Sequence, residues 1–356
     1  MELSLSGGYS QCWKAIIRPP RDEYEIKDLG PKELLIHGQR VVRTDLTLTN
    51  SRGHKLSCSF FEIHELKRPC QEMPCVIFLH GNCSSRRGSF DCLEYLLPQM
   101  ISLFTFDFSG CGQSEGDYIS LGWHEREDLQ CVIDYLRNSG RVSLIGLWGR
   151  SMGAATALLH GHRDPTIAGM VLDSPFSKLK QLAEELVQNN SKLPSFLTTM
   201  GLKLVRGSIQ SKAEFDIFEL NPIDNVESCF IPAFFLTGND DNFVGPHHTK
   251  SIHEKYAGDK RLETFPGGHN GSRPDEVMFK ISEFFYQTMQ CDLIQQQLNE
   301  QKIKQQQEVE QMRQKLRQQK QPQAQEFRLG MDEEEELRLA IIASIEHQRH
   351  EPQFQL

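Results

Sequence analysis

Residues 142–157 read Val142-Ser143-Leu144-Ile145-Gly146-Leu147-Trp148-Gly149-Arg150-Ser151-Met152-Gly153-Ala154-Ala155-Thr156-Ala157, and they contain the most specific motif of the sequence. It begins as a short apolar run, which predicts a buried strand. It ends in a run of small residues, which predicts a helix packed closely against that strand. Ser151 lies between the two in a Gly-x-Ser-x-Gly sequence, which is typical of a nucleophile elbow. The strained turn lifts the serine hydroxyl above the sheet, and the positions two residues away must lack a Cβ that would clash.

Backbone amides near the elbow could stabilise an oxyanion. The helix after Ser151 offers its N-terminus and the amide of Met152 to a negative charge. A second amide is needed, and His80-Gly81-Asn82 follows the strand that we expect beside the elbow strand. Its glycine permits a tight turn, so the amide of Asn82 is the predicted second donor. His80 itself is predicted to be a hydrogen-bonded structural residue.

An activated serine needs a base, and the base needs an orienting carboxylate. His269 follows a predicted strand in a loop of small residues, and we predict that it is the base. The acid should lie between serine and histidine in the chain. Asp241 follows another strand end, with Asp240 as an adjacent alternative. Asp173 is a second alternative, although it could instead cap the helix that follows it.

Strand and helix patterns alternate on both sides of the elbow. This alternation predicts an α/β fold, with a mostly parallel sheet and helices on both faces. We expect an irregular N-terminal arm over residues 1–30 and an α/β domain over 31–290. Residues 175–225 interrupt the alternation and are predicted to form a small helical cap over the sheet edge. The predicted strands lie at 41–49, 56–62, 74–80, 101–107, 142–148, 167–173, 231–237 and 261–265, and the predicted helices at 86–98, 123–137, 248–256 and 274–289.

Composition and charge exclude several classes of protein. The 356 residues carry a net charge of −9 without a basic stripe, which argues against a nucleic-acid partner. No apolar run approaches the length of a membrane span, and no signal peptide is evident. The ten cysteines form no Cys-x-x-Cys pair, so we expect free thiols and a cytoplasmic location.

No cofactor or metal is expected from the sequence. Residues 110–116 contain several glycines, but their spacing departs from the dinucleotide-binding pattern. His247 and His248 have no cysteine or acidic partner at ligand spacing. We therefore interpret this pair as the start of a surface helix rather than as a metal site.

The motifs taken together resemble the α/β-hydrolase superfamily over about residues 30–290. The matching segments are His80-Gly81-Asn82, Asp107 to Ser114, Gly149 to Gly153, Gly238 to Val244 and Gly267 to Asn270. The resemblance is strongest to serine hydrolases such as acyl-protein thioesterases and S9/S33-type peptidases. The superfamily pattern Gly-x-x-Asp-x-x-Val places the acid on Asp241 and so decides between the adjacent aspartates. It does not imply a substrate, because the fold carries many activities.

The composition changes near residue 291. Residues 291–325 are rich in Gln, Glu, Lys and Arg, and they predict a long solvated helix rather than a stable coiled coil. Pro322 is expected to end this helix. Residues 331–348 predict a further helix that resembles a ubiquitin-interacting motif, with an acidic run followed by apolar and small residues. The resemblance implies that ubiquitin contacts one helical face formed by Leu337, Ala340, Ile341 and Ser344.

The sequence therefore predicts a cytosolic serine hydrolase with a tail that binds ubiquitin or ubiquitinated proteins. Its substrate would be a small acyl ester, thioester or peptide, with an ester or thioester favoured over a peptide. The alternative is a catalytically silent scaffold that recruits ubiquitinated partners. The cap could line an apolar substrate channel or simply pack on the sheet; its apolar residues are Phe176, Leu179, Leu182, Leu186, Leu193 and Phe196.

Overall fold

The computed structural model describes residues 5–190 and 195–329, together with 334, 335, 337, 338, 341 and 342. It divides into two compact units, Met1–Ile294 and Gln295–Leu356. The boundary between these units is close to the predicted domain end at residue 290.

Within the described ranges, nine strands of the first unit form one sheet in the order β1-β2-β3-β5-β4-β6-β7-β8-β9. Strands β1, β2, β3 and β5 pair in antiparallel fashion. Strands from β5 through β9 in this order are all parallel to their neighbours. The strands are β1 (Glu33–Ile36), β2 (Gln39–Thr49), β3 (Lys55–Ile63), β4 (Met73–Leu79), β5 (Ser102–Phe106), β6 (Val142–Arg150), β7 (Gly169–Asp173), β8 (Ala233–Gly238) and β9 (Lys260–Phe265).

Helices cover both faces of this sheet. Apolar residues of α3, α4 and α7 pack in one core cluster, and those of α2 and α8 pack in a second cluster on the other face. The helices are α1 (Leu5–Ile17), α2 (Phe90–Leu96), α3 (Glu125–Asn138), α4 (Met152–Gly161), α5 (Leu179–Asn190), α6 (Ser195–Ala213), α7 (Pro246–Lys255), α8 (Asp275–Thr288) and α9 (Cys291–Leu329).

The predicted fold class is confirmed. The fold class can be predicted from the sequence because the central strands are covered by helices on both faces. Such strands consist of continuous apolar runs. All seven residues of β4, for example, are buried.

The prediction of an irregular arm over residues 1–30 is wrong, because α1 occupies Leu5–Ile17. Trp13 and Ile17 are buried against residues of α6, including Leu202 and Ile209. Helix α1 contains Gly7 and Gly8, which lower its intrinsic helix propensity. Tertiary packing of its apolar face stabilises it instead, and that contribution is not visible in the local sequence.

The segment predicted as a cap contains α5 and α6. Phe176, Leu179 and Leu182 are buried in a third cluster, which also includes Ala155 and Leu159 of α4. The partly buried Leu186 packs against the same cluster. Leu193 and the side chain of Phe196 lie outside the described residues.

Helix α9 continues past Pro322 to Leu329, so the prediction that Pro322 ends it is wrong. A proline removes one backbone hydrogen bond, but water can bind the freed carbonyl of a solvated helix. Ile303, Val309 and Met312 are more than half exposed, in accord with a solvated helix. Among the helices of the described ranges, none has both the length and the apolar character that a membrane span requires.

Acid is expected to destabilise the first unit through His160 of α4. This side chain is fully buried, and burial lowers its pKa to about 4 although Asp164 lies 3.6 Å away and opposes the shift. The unfolded chain binds the proton near pH 6.5, so the stability contributed by neutral His160 is lost as pH falls from about 6.5 to 4. We expect His160→Leu to reduce the stability lost between pH 7 and pH 5 by about 2 kcal/mol. Urea unfolding at both pH values measures this difference, and an unchanged loss in the variant would contradict it.

Candidate active site

Ser151 occupies the sharp turn between β6 and α4. Its backbone angles, φ 54° and ψ −113°, lie in a region that L-residues rarely adopt. A Cβ at Gly149 would overlap the carbonyl of Gly153, and one at Gly153 would overlap the carbonyl of Leu79. Both flanking glycines are therefore required by close backbone contacts. The predicted elbow geometry is confirmed.

Three predicted site residues come together at the carboxyl edge of the parallel strands. The Ser151 hydroxyl lies 2.9 Å from Nε2 of His269, in the loop after β9. Nδ1 of His269 lies 2.7 Å from Oδ2 of Asp241, in the loop after β8. All three residues are less than a tenth exposed. Parallel strands end at the same edge of a sheet, and this brings together residues that are distant in sequence.

The loop after β8 fixes the carboxylate of Asp241. Its Oδ1 accepts hydrogen bonds from the amides of Phe243 and Val244, at 3.0 and 2.9 Å. Burial raises the pKa of Asp241, but the hydrogen bond and charge of His269 and these two amides outweigh burial and hold the pKa below its ordinary value. An ionised Asp241 accepts the Nδ1–H of His269, which leaves Nε2 free to accept the serine proton.

Neither alternative acid contacts His269 in this way. Asp240 is exposed. Asp173 is buried and accepts two hydrogen bonds from Arg273, each 2.8 Å long. Asp173 does not act as the helix cap that the sequence allowed, since α5 begins only at Leu179. The aspartate is instead part of an ion pair beside the histidine loop.

Two arginines that the sequence analysis missed hold this histidine loop. Arg273 donates to the carbonyl of His269 at 3.1 Å and to that of Gly271 at 2.8 Å. Arg150, the residue before the serine, donates to the same carbonyls at 2.8 and 3.0 Å. Arg150 occupies a variable position of the elbow motif, and Arg273 belongs to no motif. The sequence therefore contains no motif that would have predicted the role of either arginine.

Comparisons with known proteins agree with this architecture. The family model for serine aminopeptidases, S33, matches residues 71–224, which include Ser151. Among solved structures, the Pyrococcus furiosus esterase PF2001 superposes with a TM-score of 0.58 at 24% identity, covering 76% of this chain and 97% of that one. The chain has the α/β-hydrolase fold. A second structure of this fold, Est1E from Butyrivibrio proteoclasticus, gives a TM-score of 0.54 at 17% identity and covers 69% of this chain and 98% of that one.

The curated relatives of this chain are distant. An uncharacterized Bacillus subtilis protein, YqkD, is 28% identical over 202 residues, which are 55% of this chain and 64% of that protein. The Arabidopsis thaliana α/β-hydrolase domain-containing protein WAV2 is 24% identical over 241 residues, which are 66% of this chain and 73% of that protein. The chain thus spans about two thirds of these relatives. The family model and the structural likenesses both support the α/β-hydrolase superfamily.

The predicted oxyanion residues border Ser151 in this α/β-hydrolase fold. Met152 is the first residue of α4, so its N–H has no carbonyl one turn earlier within the helix. Asn82 lines two cavities that also contain Ser151. The loop of Asn82 lies close to the serine, because a Cβ placed on Gly81 would be 3.7 Å from the Cβ of Ser151.

The structural role predicted for His80 is confirmed. Nε2 of His80 accepts the amide of Phe108 at 3.1 Å, so the ring proton is on Nδ1, which donates to the carbonyl of Gly81 at 2.7 Å. This buried ring links the Asn82 loop to the loop after β5.

Ser151 lines two cavities of different character. One, of about 380 Å³, is lined by loop residues that include Asn82, Arg150 and His269. The other, of about 120 Å³, is lined mainly by apolar residues, several of which belong to the cap. Four residues predicted to line a channel contribute to this second cavity, namely Phe176, Leu179, Leu182 and Leu186. Ser151 is therefore accessible to a substrate from two cavities that differ in polarity.

One possible metal-binding group lies at the edge of the cap. The sequence showed no acidic partner for His247 and His248, but Glu185 of α5, 62 residues before His247, lies against both. Its two carboxylate oxygens are 3.0 Å from Nε2 of His247 and 3.0 Å from Nε2 of His248. His248 is buried, so the interpretation of this pair as a plain surface helix start is wrong for that residue.

Proposed function

We propose that this chain is a serine hydrolase that cleaves acyl esters or thioesters through a covalent acyl-enzyme. The observation that carries the proposal is the hydrogen-bonded chain from the Ser151 hydroxyl through His269 to the carboxylate of Asp241. This arrangement makes a serine nucleophilic without a metal ion or a cofactor.

The chemistry proceeds in two halves. Oγ of Ser151 attacks the substrate carbonyl carbon while Nε2 of His269 takes the hydroxyl proton, and Asp241 stabilises the resulting imidazolium. The amides of Asn82 and Met152 would bind the oxyanion. His269 then gives its proton to the leaving alcohol or thiol as the carbonyl–oxygen or carbonyl–sulfur bond breaks. In the second half, water attacks the acyl-enzyme, His269 removes the water proton, and that proton returns to Ser151 as the acid leaves.

The lining of the two cavities favours ester substrates over peptides that carry a free amino terminus. An aminopeptidase must bind the α-ammonium group of its substrate, and a carboxylate is the usual partner of a buried cation. Among the described residues that line the cavities beside Ser151, the charged ones are Arg150 and Lys180, and none is acidic. The apolar cavity under the cap instead suits an acyl chain of moderate length.

A series of p-nitrophenyl esters tests this assignment. We expect kcat/KM to rise from acetyl to an acyl chain of moderate length and to fall for the longest chains, because the cap cavity is small. Ala183→Phe should fill the cavity and shift the optimum to shorter chains. Ala257→Phe, at an exposed alanine, is the matched control and should keep the wild-type profile. Faster cleavage of aminoacyl amides than of every ester would favour the peptidase alternative.

We also propose that the tail binds ubiquitin through the helix predicted over residues 331–348. The described residues there are helical, and Leu337 and Ile341, one turn apart, are 63% and 52% exposed. Ala340 and Ser344 lie outside the described residues. An exposed apolar pair one helical turn apart can dock on an apolar patch, and the single helix face implies weak binding.

Titration of ¹⁵N-labelled ubiquitin with the full chain tests the role of the tail. We expect the amides of the ubiquitin hydrophobic patch to shift, and the double variant Ala340→Gly/Ser344→Ala to suppress those shifts. Patch resonances that do not move, or that move equally with the variant, would contradict the proposal.

A further inference from the structure

We propose that Glu185, His247 and His248 form a binding site for a transition-metal ion of the Zn²⁺ type, which links the cap to the start of α7. Their ligand atoms all lie within 4.8 Å of one another. Two imidazole nitrogens and one carboxylate oxygen are a donor set that Zn²⁺ uses in proteins, with water completing the tetrahedron.

The distances between the donor atoms are close to those that such an ion needs. In a tetrahedral site with bonds of about 2.0–2.1 Å, neighbouring donors are about 3.3 Å apart. Oε1 of Glu185 is 3.0 Å from Nε2 of His247 and Oε2 is 3.0 Å from Nε2 of His248, so a rotation of the carboxylate and small ring movements would admit the ion. Metal binding would replace the two imidazole–carboxylate hydrogen bonds with bonds to the metal, and each neutral ring would then carry its proton on Nδ1 instead of Nε2.

Outer partners that orient the ligands are also present. Oγ of Ser177 lies 2.8 Å from Nδ1 of His248 and can accept a hydrogen bond from Nδ1–H when Nε2 binds the metal. The amide of Ser177 donates to the same Nδ1 at 3.3 Å, and metal binding at Nε2 would break this hydrogen bond because Nδ1 would then carry the proton. The side-chain amide of Gln181 donates to Oε1 of Glu185 at 2.9 Å. Metal-binding histidines and carboxylates in proteins are held in this way.

The position of the site suggests what the ion would do. Glu185 belongs to α5, whose residues Leu182, Ala183 and Leu186 line the apolar cavity beside Ser151. His247 and His248 lie in the first turn of α7, directly after the loop that carries Asp241. A bound ion would therefore connect α5, which lines the apolar cavity, to the start of α7, which follows the loop of the proposed catalytic acid. His247 is exposed and Glu185 partly exposed, so the ion and its water can enter from solvent.

Cobalt is a suitable probe because a tetrahedral Co²⁺ ion has visible d–d absorption bands. We expect titration of the reduced full chain with Co²⁺ to give these bands with one ion per chain, to lack the sulfur-to-cobalt charge transfer that cysteine ligands produce, and to reverse on addition of Zn²⁺. Bound Zn²⁺ should also raise the melting temperature, since it binds the folded state selectively.

Two variants test the ligands, each with a matched control. Glu185→Gln retains the shape of the side chain, and His247→Ala removes an exposed ligand; each should weaken the Co²⁺ affinity at least about tenfold. Glu184→Gln and His253→Ala, on the same two helices, should bind like the wild type. The proposal is overturned if the wild type shows no d–d bands, if the bands carry thiolate charge transfer, or if Glu185→Gln binds as tightly as the wild type.

Discussion

Asp241→Asn is expected to lower the kcat of ester hydrolysis about 10⁴-fold, the loss known for the equivalent substitution in a serine protease. Asp241 accepts the Nδ1–H of His269. An asparagine whose NH₂ group faces that nitrogen favours the other tautomer, which places the proton on Nε2. That nitrogen then cannot accept the proton of Ser151, although the three side chains keep nearly the same positions. Steady-state kinetics with a p-nitrophenyl ester measure the loss.

Asp173→Asn is the matched comparison. Asp173 contacts Arg273, which in turn contacts the His269 carbonyl, so this substitution should shift the histidine loop without changing the tautomer. We expect a loss of at most about 10²-fold, together with a lower melting temperature, because Arg273 is left buried with a weaker partner. If Asp173→Asn lost 10⁴-fold and Asp241→Asn did not, the assignment of the acid would be wrong.

Ser151→Ala is expected to lower ester turnover on the order of 10⁶-fold, the scale found when a serine nucleophile is removed elsewhere. The variant keeps the amides of Met152 and Asn82 but has no atom that can form the acyl-enzyme. Its melting temperature should be nearly unchanged, since alanine keeps the Cβ and meets the same backbone strain at φ 54°. The measurement is initial-rate kinetics on both proteins, with circular dichroism to compare their melting curves.

Ser84→Ala is the control for this variant. Ser84 lines the same cavity as Ser151 but makes no contact with His269 that the structure records. It should retain turnover within a few-fold of the wild type. A Ser151→Ala protein that keeps more than a tenth of the wild-type rate would show that another group is the nucleophile.

Local sequence was sufficient to predict the elbow and His269, whereas Asp241 was chosen over the adjacent Asp240 only through the resemblance to the superfamily pattern. The elbow can be recognised because its constraint is local, with Gly149 and Gly153 excluding any Cβ on either side of Ser151. Both Asp241 and His269 follow strands of a parallel sheet, and such strands end at one edge, but Asp240 and Asp173 also lie at or just after the end of such a strand.

Residues whose roles depend on distant partners could not be predicted in this way. Asp173 and Arg273 are 100 positions apart, and Glu185 lies 62 positions before His247. The members of each pair come into contact only when the sheet and the cap have formed. The residues adjacent to each of them in sequence contain no motif that would predict the contact. Helix α1 was missed for a related reason, because contacts of Trp13 and Ile17 with α6 stabilise it.

Labelling with a fluorophosphonate probe tests the central claim most directly, because it requires an activated serine but no knowledge of the substrate. The account predicts a single adduct on the folded wild-type chain, located on Ser151 by mass spectrometry of the peptides, and no adduct on Ser151→Ala. A folded wild-type chain that takes no label would contradict it and favour the silent scaffold, and a label on another residue would contradict the assignment of the nucleophile.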